Sequence, residues 1–201
     1  MKPLSAEQQK LVMDGAVQLF ADREMKEISL DQLSRVSGIS AFDIVRHYHS
    51  RENILKAVLE RELELMAAAS HAPELRMPGE TIKDELHVLA GVILQEYRGR
   101  LPFLGKLLSE ALVNSEVGAL FYRTFIVQGR LLFTEFLNER KRLGELREEM
   151  DVEVAAAVFL AALTGPLLMV ELFGGKHVEM LDDERLVNEV SDVFLEGVRR
   201  R

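Results

Sequence analysis

Residues able to do chemistry are thinly spread along this chain. His47-Tyr48-His49 places two imidazoles two positions apart, the nearest approach to a metal-ligand pair. There is no Cys to join them and no carboxylate cluster at ligand spacing. Helical neighbours at that spacing also point to different sides, so no metal site is expected. His71, His87 and His177 stand alone. There is no Gly-rich phosphate loop, no G-x-S-x-G and no HExxH, so no enzyme and no cofactor is expected. Gly174-Gly175-Lys176 lacks the rest of a phosphate loop and reads as a helix stop. The pairs Glu148-Glu149 and Asp182-Asp183 flank helices, where acidic charge is solvated or complements a helix N-terminus. What remains is a short cationic series, Arg46, His47, Arg51 and Lys56, of the residue types that meet phosphates and base edges.

That series is positioned by two start signals. Ser29-x-x-Gln32 has capping-box spacing, and Ser40-x-x-Asp43 repeats it eleven residues later. Ile28 and Ile39 precede the serines, and Leu33 and Ile44 stand at the fourth helical positions, which makes a hydrophobic staple on each helix. Gly38 lies at the break, where a left-handed residue ends a helix at little cost. Leu33, Val36, Ile39, Ile44 and Tyr48 supply a shared apolar seam, and Ser34 is small enough for a close crossing. The pattern fits a helix-turn-helix and, equally, a plain helical hairpin with a glycine turn.

The 201 residues are about one to two domains in length, with 48% hydrophobic and 29% charged residues. These values exclude a disordered or collagen-like chain. Cys is 0, which suits a reducing compartment. The start, MKPLSAEQQK, turns polar at once, and the longest uncharged run, Val154 to Val170, contains Gly165 and Pro166. No signal peptide or membrane span is expected, and the cytoplasm is the expected location. Net charge is −8; residues 1–60 carry 8 basic and 9 acidic side chains, so no basic domain announces nucleic acid.

Helical periodicity dominates and strand-like alternation is absent, so the fold class is all-α with about nine helices. They are expected near Ala6–Phe20, Leu30–Ser37, Ala41–Tyr48, from Ser50 onward, Thr81–Arg98, Pro102–Val113, Glu116–Lys141, Asp151–Phe173 and Asp183–Arg200. Ser70–Gly79, with Pro73, Pro78 and Gly79, reads as a linker. On the last helix Leu186, Val190, Val193, Phe194 and Gly197 form one stripe, and the helix before it has a small-residue face at Ala157, Ala161 and Gly165. Such stripes serve either a subunit interface or packing within the chain. Aromatic residues gather in the second half, with Phe121, Phe125, Leu132 and Phe136 on a helical stripe.

The stretch from Gln9 to Glu60 resembles the DNA-binding domain of the TetR family of bacterial transcriptional regulators. The segments that carry it are AVQLF, ISLDQLSRVSGIS and IVRHYHSRENILKAVLE. More loosely, MDVEVAAAVFLAALTGPLLM and DDERLVNEVSDVFLEGV resemble that family's last two helices. The resemblance implies a DNA-binding domain over 1–49, a connecting helix over 50–70, and a ligand-binding and dimerisation domain over 71–201. It implies a homodimer on a roughly palindromic double-stranded operator, released by a small apolar or amphipathic effector. Ser40, Ala41, Phe42, Val45, Arg46 and His47 would then lie on the reading helix, with Arg51 and Lys56 near the flanking backbone. Arg46 would meet a guanine or a phosphate, and Phe42 or Val45 a thymine methyl. Phe103, Leu107, Phe121, Phe125, Phe159 and Met169 would line the effector pocket, where Arg98, Arg123 or Arg130 could hold a carboxylate. Ala161, Gly165, Leu186, Val190, Val193, Phe194 and Gly197 would form the dimer interface. Val45, Asp43 and Ala41 depart from residues common in the family, so no operator preference carries over. The alternative is an all-helical ligand-binding or enzymatic protein whose helix-turn-helix is non-functional.

Overall fold

In the computed structural model, residues 3–23, 27–70 and 81–199 are described. Among them the secondary structure is helical: α1 (Ala6–Asp22), α2 (Leu30–Ser37), α3 (Ala41–Tyr48), α4 (Arg51–Ser70), α5 (Ile82–Gly99), α6 (Leu101–Val113), α7 (Ser115–Phe121), α8 (Gln128–Arg142), α9 (Val152–Leu172) and α10 (Asp183–Val198). A π-helical turn, Tyr122–Val127, joins α7 to α8 without a break, so the described residues form nine continuous helices. The all-α expectation is met. The linker expected over Ser70–Gly79 lies, from residue 71 on, outside the described residues.

Two compact units divide the chain, and the division is not the one expected from sequence. The first unit takes residues 1–63 and 102–126; the second takes 64–101 and 127–201. Most of α6, all of α7 and the π turn as far as Ile126 therefore pack with the N-terminal helices.

In the first unit Val12, Ala16, Leu33, Ile44, Leu55, Val58 and Leu59 are buried as one apolar set. Gly15 brings α1 against α2: a Cβ there would lie 3.2 Å from Val36 Cγ1. Arg61 of α4 reaches Asp14 of α1 at 2.7 Å. Burial pushes the Asp14 carboxyl up, but the hydrogen bonds from Lys10 and Arg61 outweigh it and hold the group below the usual carboxylate range.

The second unit is built on stacked rings. Phe159 of α9 lies 4.6 Å from Phe133 of α8 and 4.9 Å from Phe194 of α10. Ion pairs tie α5 to its neighbours: Arg98 reaches Glu171 and Asp183, each at 2.6 Å, and Lys83 reaches Asp192 at 2.7 Å. The backbone N–H of Arg147 donates to the Val198 carbonyl at 3.0 Å, pinning the α8–α9 connection to the end of α10. Helix α9 is long and apolar enough to cross a membrane, yet Ala155, Ala156, Phe159, Leu163 and Leu167 of it are buried inside this unit.

The stripe expected on α8 is displaced. Phe133 and Leu137 are buried, whereas Leu132 and Phe136 are only half-buried. A π turn accommodates one extra residue, which rotates everything after it by about 100°.

Candidate nucleic-acid interface

The α2–α3 pair is held by local bonds that the side chains dictate. Ser29 Oγ accepts from the Gln32 N–H at 3.1 Å, and the Ser29 N–H donates to Gln32 Oε1 at 2.7 Å, a complete capping box. Gly38 ends α2 at φ 72°, in the left-handed region. The second box is only half formed. Ser40 Oγ accepts from the Asp43 N–H at 3.1 Å, but its hydroxyl donates to Asp43 Oδ2 at 2.6 Å, and Asp43 Oδ1 is 3.0 Å from Arg46. The carboxylate is turned along α3 toward a cation and leaves the Ser40 N–H unbonded by it. Ser37, rather than Ser34, is the buried serine, and its hydroxyl donates to the Leu33 carbonyl at 2.7 Å.

The outer side of α3 carries Phe42, 66% exposed, and Val45, 40% exposed. Arg46 lies beside them, its guanidinium 5.8 Å from the Phe42 ring centre and held by Asp43. Ala41 and His47 are half-buried, and His47 meets the Tyr48 ring edge-on at 4.7 Å. Arg51 opens α4 on an exposed position, and Lys56 pairs with Glu60 at 3.6 Å. The structure thus brings an apolar pair and a pre-oriented guanidinium onto one face. This face can touch methyl groups and accept base-edge or phosphate contacts.

Sequence reasoning missed the turn that sets the angle between α3 and α4. His49 has φ 67° and ψ −38°, and the Ser50 N–H donates to the Tyr48 carbonyl at 2.8 Å. This is a γ-turn with positive φ, a strained conformation for a residue with a side chain. Asn53 Nδ2 donates to the same carbonyl at 2.8 Å, while the Asn53 N–H donates to Ser50 Oγ at 3.2 Å. The signal available in the sequence was only Ser50-x-x-Asn53, a cap without an apolar start.

The expected effector residues are shared between the two units. Phe103, Leu107, Phe121 and Phe125 belong to the first unit, and Phe159 and Met169 to the second. Phe121 and Phe125 stack on each other at 5.4 Å, and Phe103 lies 6.4 Å from Phe20. Phe159 fills the stacked core, and Met169 is 62% exposed. Arg98 is engaged by two carboxylates, because α9 and α10 both present acids to it.

The expected interface stripes are split in a different way. Phe194 is buried against Phe159, so it is a core residue, while Leu186 and Val190 are half-buried. Val193 is 67% exposed; Gly197 and Ala161 are exposed, and Gly165 is half-buried. Beside them lie Val154, Val158 and Ala162, outside the expected stripes, and, farther along, Met169, expected instead in the effector pocket. Their spacing of four and seven was legible, but it was hidden in a helix that is apolar on nearly every side. An open groove of about 610 Å³ runs between Val154 and Val158 of α9 and Val190 and Val193 of α10.

Residues 105–197 match the family model of the AefR-like transcriptional repressor, C-terminal domain. No curated protein matches the chain. Among solved structures the chain is similar to a Mesorhizobium loti protein described as a TetR-family transcriptional regulator, with TM-score 0.80 and 14% identity over 99% of this chain and 100% of the other. It is similar to the fatty acid degradation regulator FadR from Bacillus halodurans, with TM-score 0.70 and 16% identity over 100% of each chain. It is also similar to the flavonoid-responsive regulator FrrA, with TM-score 0.70 and 20% identity over 98% of this chain and 100% of the other.

Proposed function

We propose that this chain, which has the TetR-family fold and, over residues 105–197, an AefR-like repressor C-terminal domain, is a ligand-responsive transcriptional repressor. The observation that carries the reading is the exposed face of α3, where Phe42, Val45 and Arg46 stand outward on a doubly anchored helix. An α-helix with its side chains is about 10–12 Å across, so α3 fits the major groove, about 12 Å wide. Ser40 and Ala41 lead the end that enters first. Phe42 and Val45 present methyl-seeking surface, Arg46 a fork for a guanine or phosphate, and His47 and Arg51 the flanks. Lys56 supplies a further phosphate contact.

The partner is a roughly palindromic double-stranded operator read by a homodimer, its reading helices about 34 Å apart. The exposed parts of α9 and α10, Ala161, Gly165, Val193 and Gly197 with Val154 and Val158, are the surface we assign to the subunit contact. A two-fold contact matches a palindromic site. A small apolar or amphipathic effector releases DNA by binding the DNA-incompetent state more tightly, since equal affinity for both states shifts nothing. The protein acts in the cytoplasm and catalyses no reaction.

The test is binding of labelled promoter DNA from beside the protein's own gene. Arg46→Ala and Arg51→Ala should each weaken binding with helicity unchanged. The salt dependence should fall by about one in log–log slope for each phosphate contact removed. Full operator affinity in the double variant overturns the assignment.

A further inference from the structure

The carboxylate in the first turn of α3 behaves unlike its counterparts on other helices. At the starts of α1, α2 and α5 the side chains of Gln8, Gln32 and Asp84 turn back and accept from the N–H of the capping residue, at 3.0, 2.7 and 2.9 Å. Asp84 is the same residue type as Asp43 and closes its box. Asp43 instead forgoes the backbone bond: its Oδ1 meets Arg46 Nη2 at 3.0 Å, and its Oδ2 accepts from the Ser40 hydroxyl at 2.6 Å. The cap does not need this carboxylate, because Ser40 Oγ accepts from the Asp43 backbone N–H at 3.1 Å.

Arg46 is therefore held by two neighbours, the Asp43 carboxylate and the Phe42 ring, whose centre lies 5.8 Å from the guanidinium carbon. Ordering a flexible arginine before it binds lowers the cost of the contact it then makes. It also changes which contact is favoured. Attraction to a phosphate depends on the net charge of the cation, and a carboxylate at 3.0 Å offsets that charge and repels the phosphate. A guanine edge is recognised instead by two N–H bonds whose direction matters. A guanidinium has five N–H donors, and the pair with Asp43 engages one of its nitrogens while fixing its direction.

We infer that Asp43 is a positioning residue that commits Arg46 to a guanine edge in the major groove and disfavours its use on phosphate. The inference deepens the repressor reading above and rests on it. Asp43 sets specificity by a difference: it strengthens the base contact through pre-orientation and weakens sequence-independent binding through its charge.

The test starts from a random-sequence duplex library sorted for tight binding by the full wild-type chain. Guanines of the preferred sequence are then replaced one at a time, in both half-sites together, by 7-deazaguanine, which lacks the N7 acceptor. One replacement should cost the wild type about tenfold in affinity and cost Arg46→Ala nothing further. In Asp43→Ala the same replacement should cost less than about threefold, with helicity intact because the Ser40 cap remains. On a scrambled duplex Asp43→Ala should bind about threefold more tightly than wild type, with a log–log salt slope steeper by about one. The added slope should vanish in Asp43→Ala/Arg46→Ala, which ties it to the released guanidinium. A role confined to helix stability would weaken preferred and scrambled duplexes alike and leave the 7-deazaguanine loss at its wild-type size, and that result overturns the inference. So does a preferred sequence in which no guanine depends on Arg46. In both cases the repressor reading stands, since a sequence was selected. A library that yields no preferred sequence removes that reading and this inference together.

Discussion

Replacing His49 by glycine should stabilise the protein. The residue sits at φ 67° and ψ −38° in the turn between α3 and α4, and its side chain is exposed. A left-handed backbone costs an L-residue about 1–2 kcal/mol, and glycine adopts it freely. Glycine in turn loses about 0.5–1 kcal/mol more conformational entropy on folding. The net expectation is a gain of up to about 1.5 kcal/mol, or up to about 3–6 °C in Tm for a chain of this size. His49→Ala keeps the strain and removes only exposed atoms, so it should stay within about 0.5 kcal/mol of wild type. Thermal unfolding followed by circular dichroism separates the two. Asn53→Ala removes the donor that braces the strained turn and should cost about 1 kcal/mol. If Asn53 works by holding that turn, its loss should cost less in the His49→Gly background, by about 0.5 kcal/mol or more. A His49→Gly protein no more stable than His49→Ala refutes the strain argument, and perfect additivity with Asn53→Ala refutes the bracing role.

Val193→Glu should shift the protein to monomers in sedimentation while leaving its melting temperature within a few degrees, because the side chain is mostly exposed. Phe194→Glu, one residue on, should instead unfold the second unit, since losing a buried Phe alone costs about 3–5 kcal/mol. A Val193→Glu chain that remains dimeric counts against the α9–α10 contact. Burial pushes the Tyr97 phenol up from 10.0 to about 12. The folded state therefore favours the protonated phenol, and its contribution to stability is complete below pH 10.0 and is lost as the pH rises to about 12. Tyr97→Phe should flatten the alkaline loss of stability in that window; an unchanged slope in denaturant titrations at pH 10 to 12 contradicts this.

Most of the helical order was legible because its signals are local. The Ser29–Gln32 box, Gly38 and the Ser40 cap are each readable within four residues, and each appears in the structure. What was not legible depends on long-range packing. Nothing near Pro102 says that residues 102–126 pack with residues 1–63, since that depends on which apolar faces meet in three dimensions. On α9, apolar on nearly all sides, periodicity could not separate Phe159, which faces the core, from Val158, which faces out. Arg98 read as a free cation because Glu171 and Asp183 lie more than seventy residues away. On α3, spacing alone placed Ser40, Phe42, Val45 and Arg46 on one short helix, but the Asp43–Arg46 pair and the γ-turn at His49 depend on side-chain and backbone geometry that spacing does not encode.

The π turn at Tyr122–Val127 bears on how this protein should be aligned with others. A helix carrying such a turn is, in sequence terms, an α-helix with one inserted residue. A relative with an unbroken helix at this place would match position for position as far as Phe121 and again from Gln128 only after a gap of one. A gapless alignment through this stretch would pair Phe133 with a neighbour of its true counterpart, and each core position of α8 would be scored as a mismatch. The insertion would then be mistaken for divergence of the whole helix.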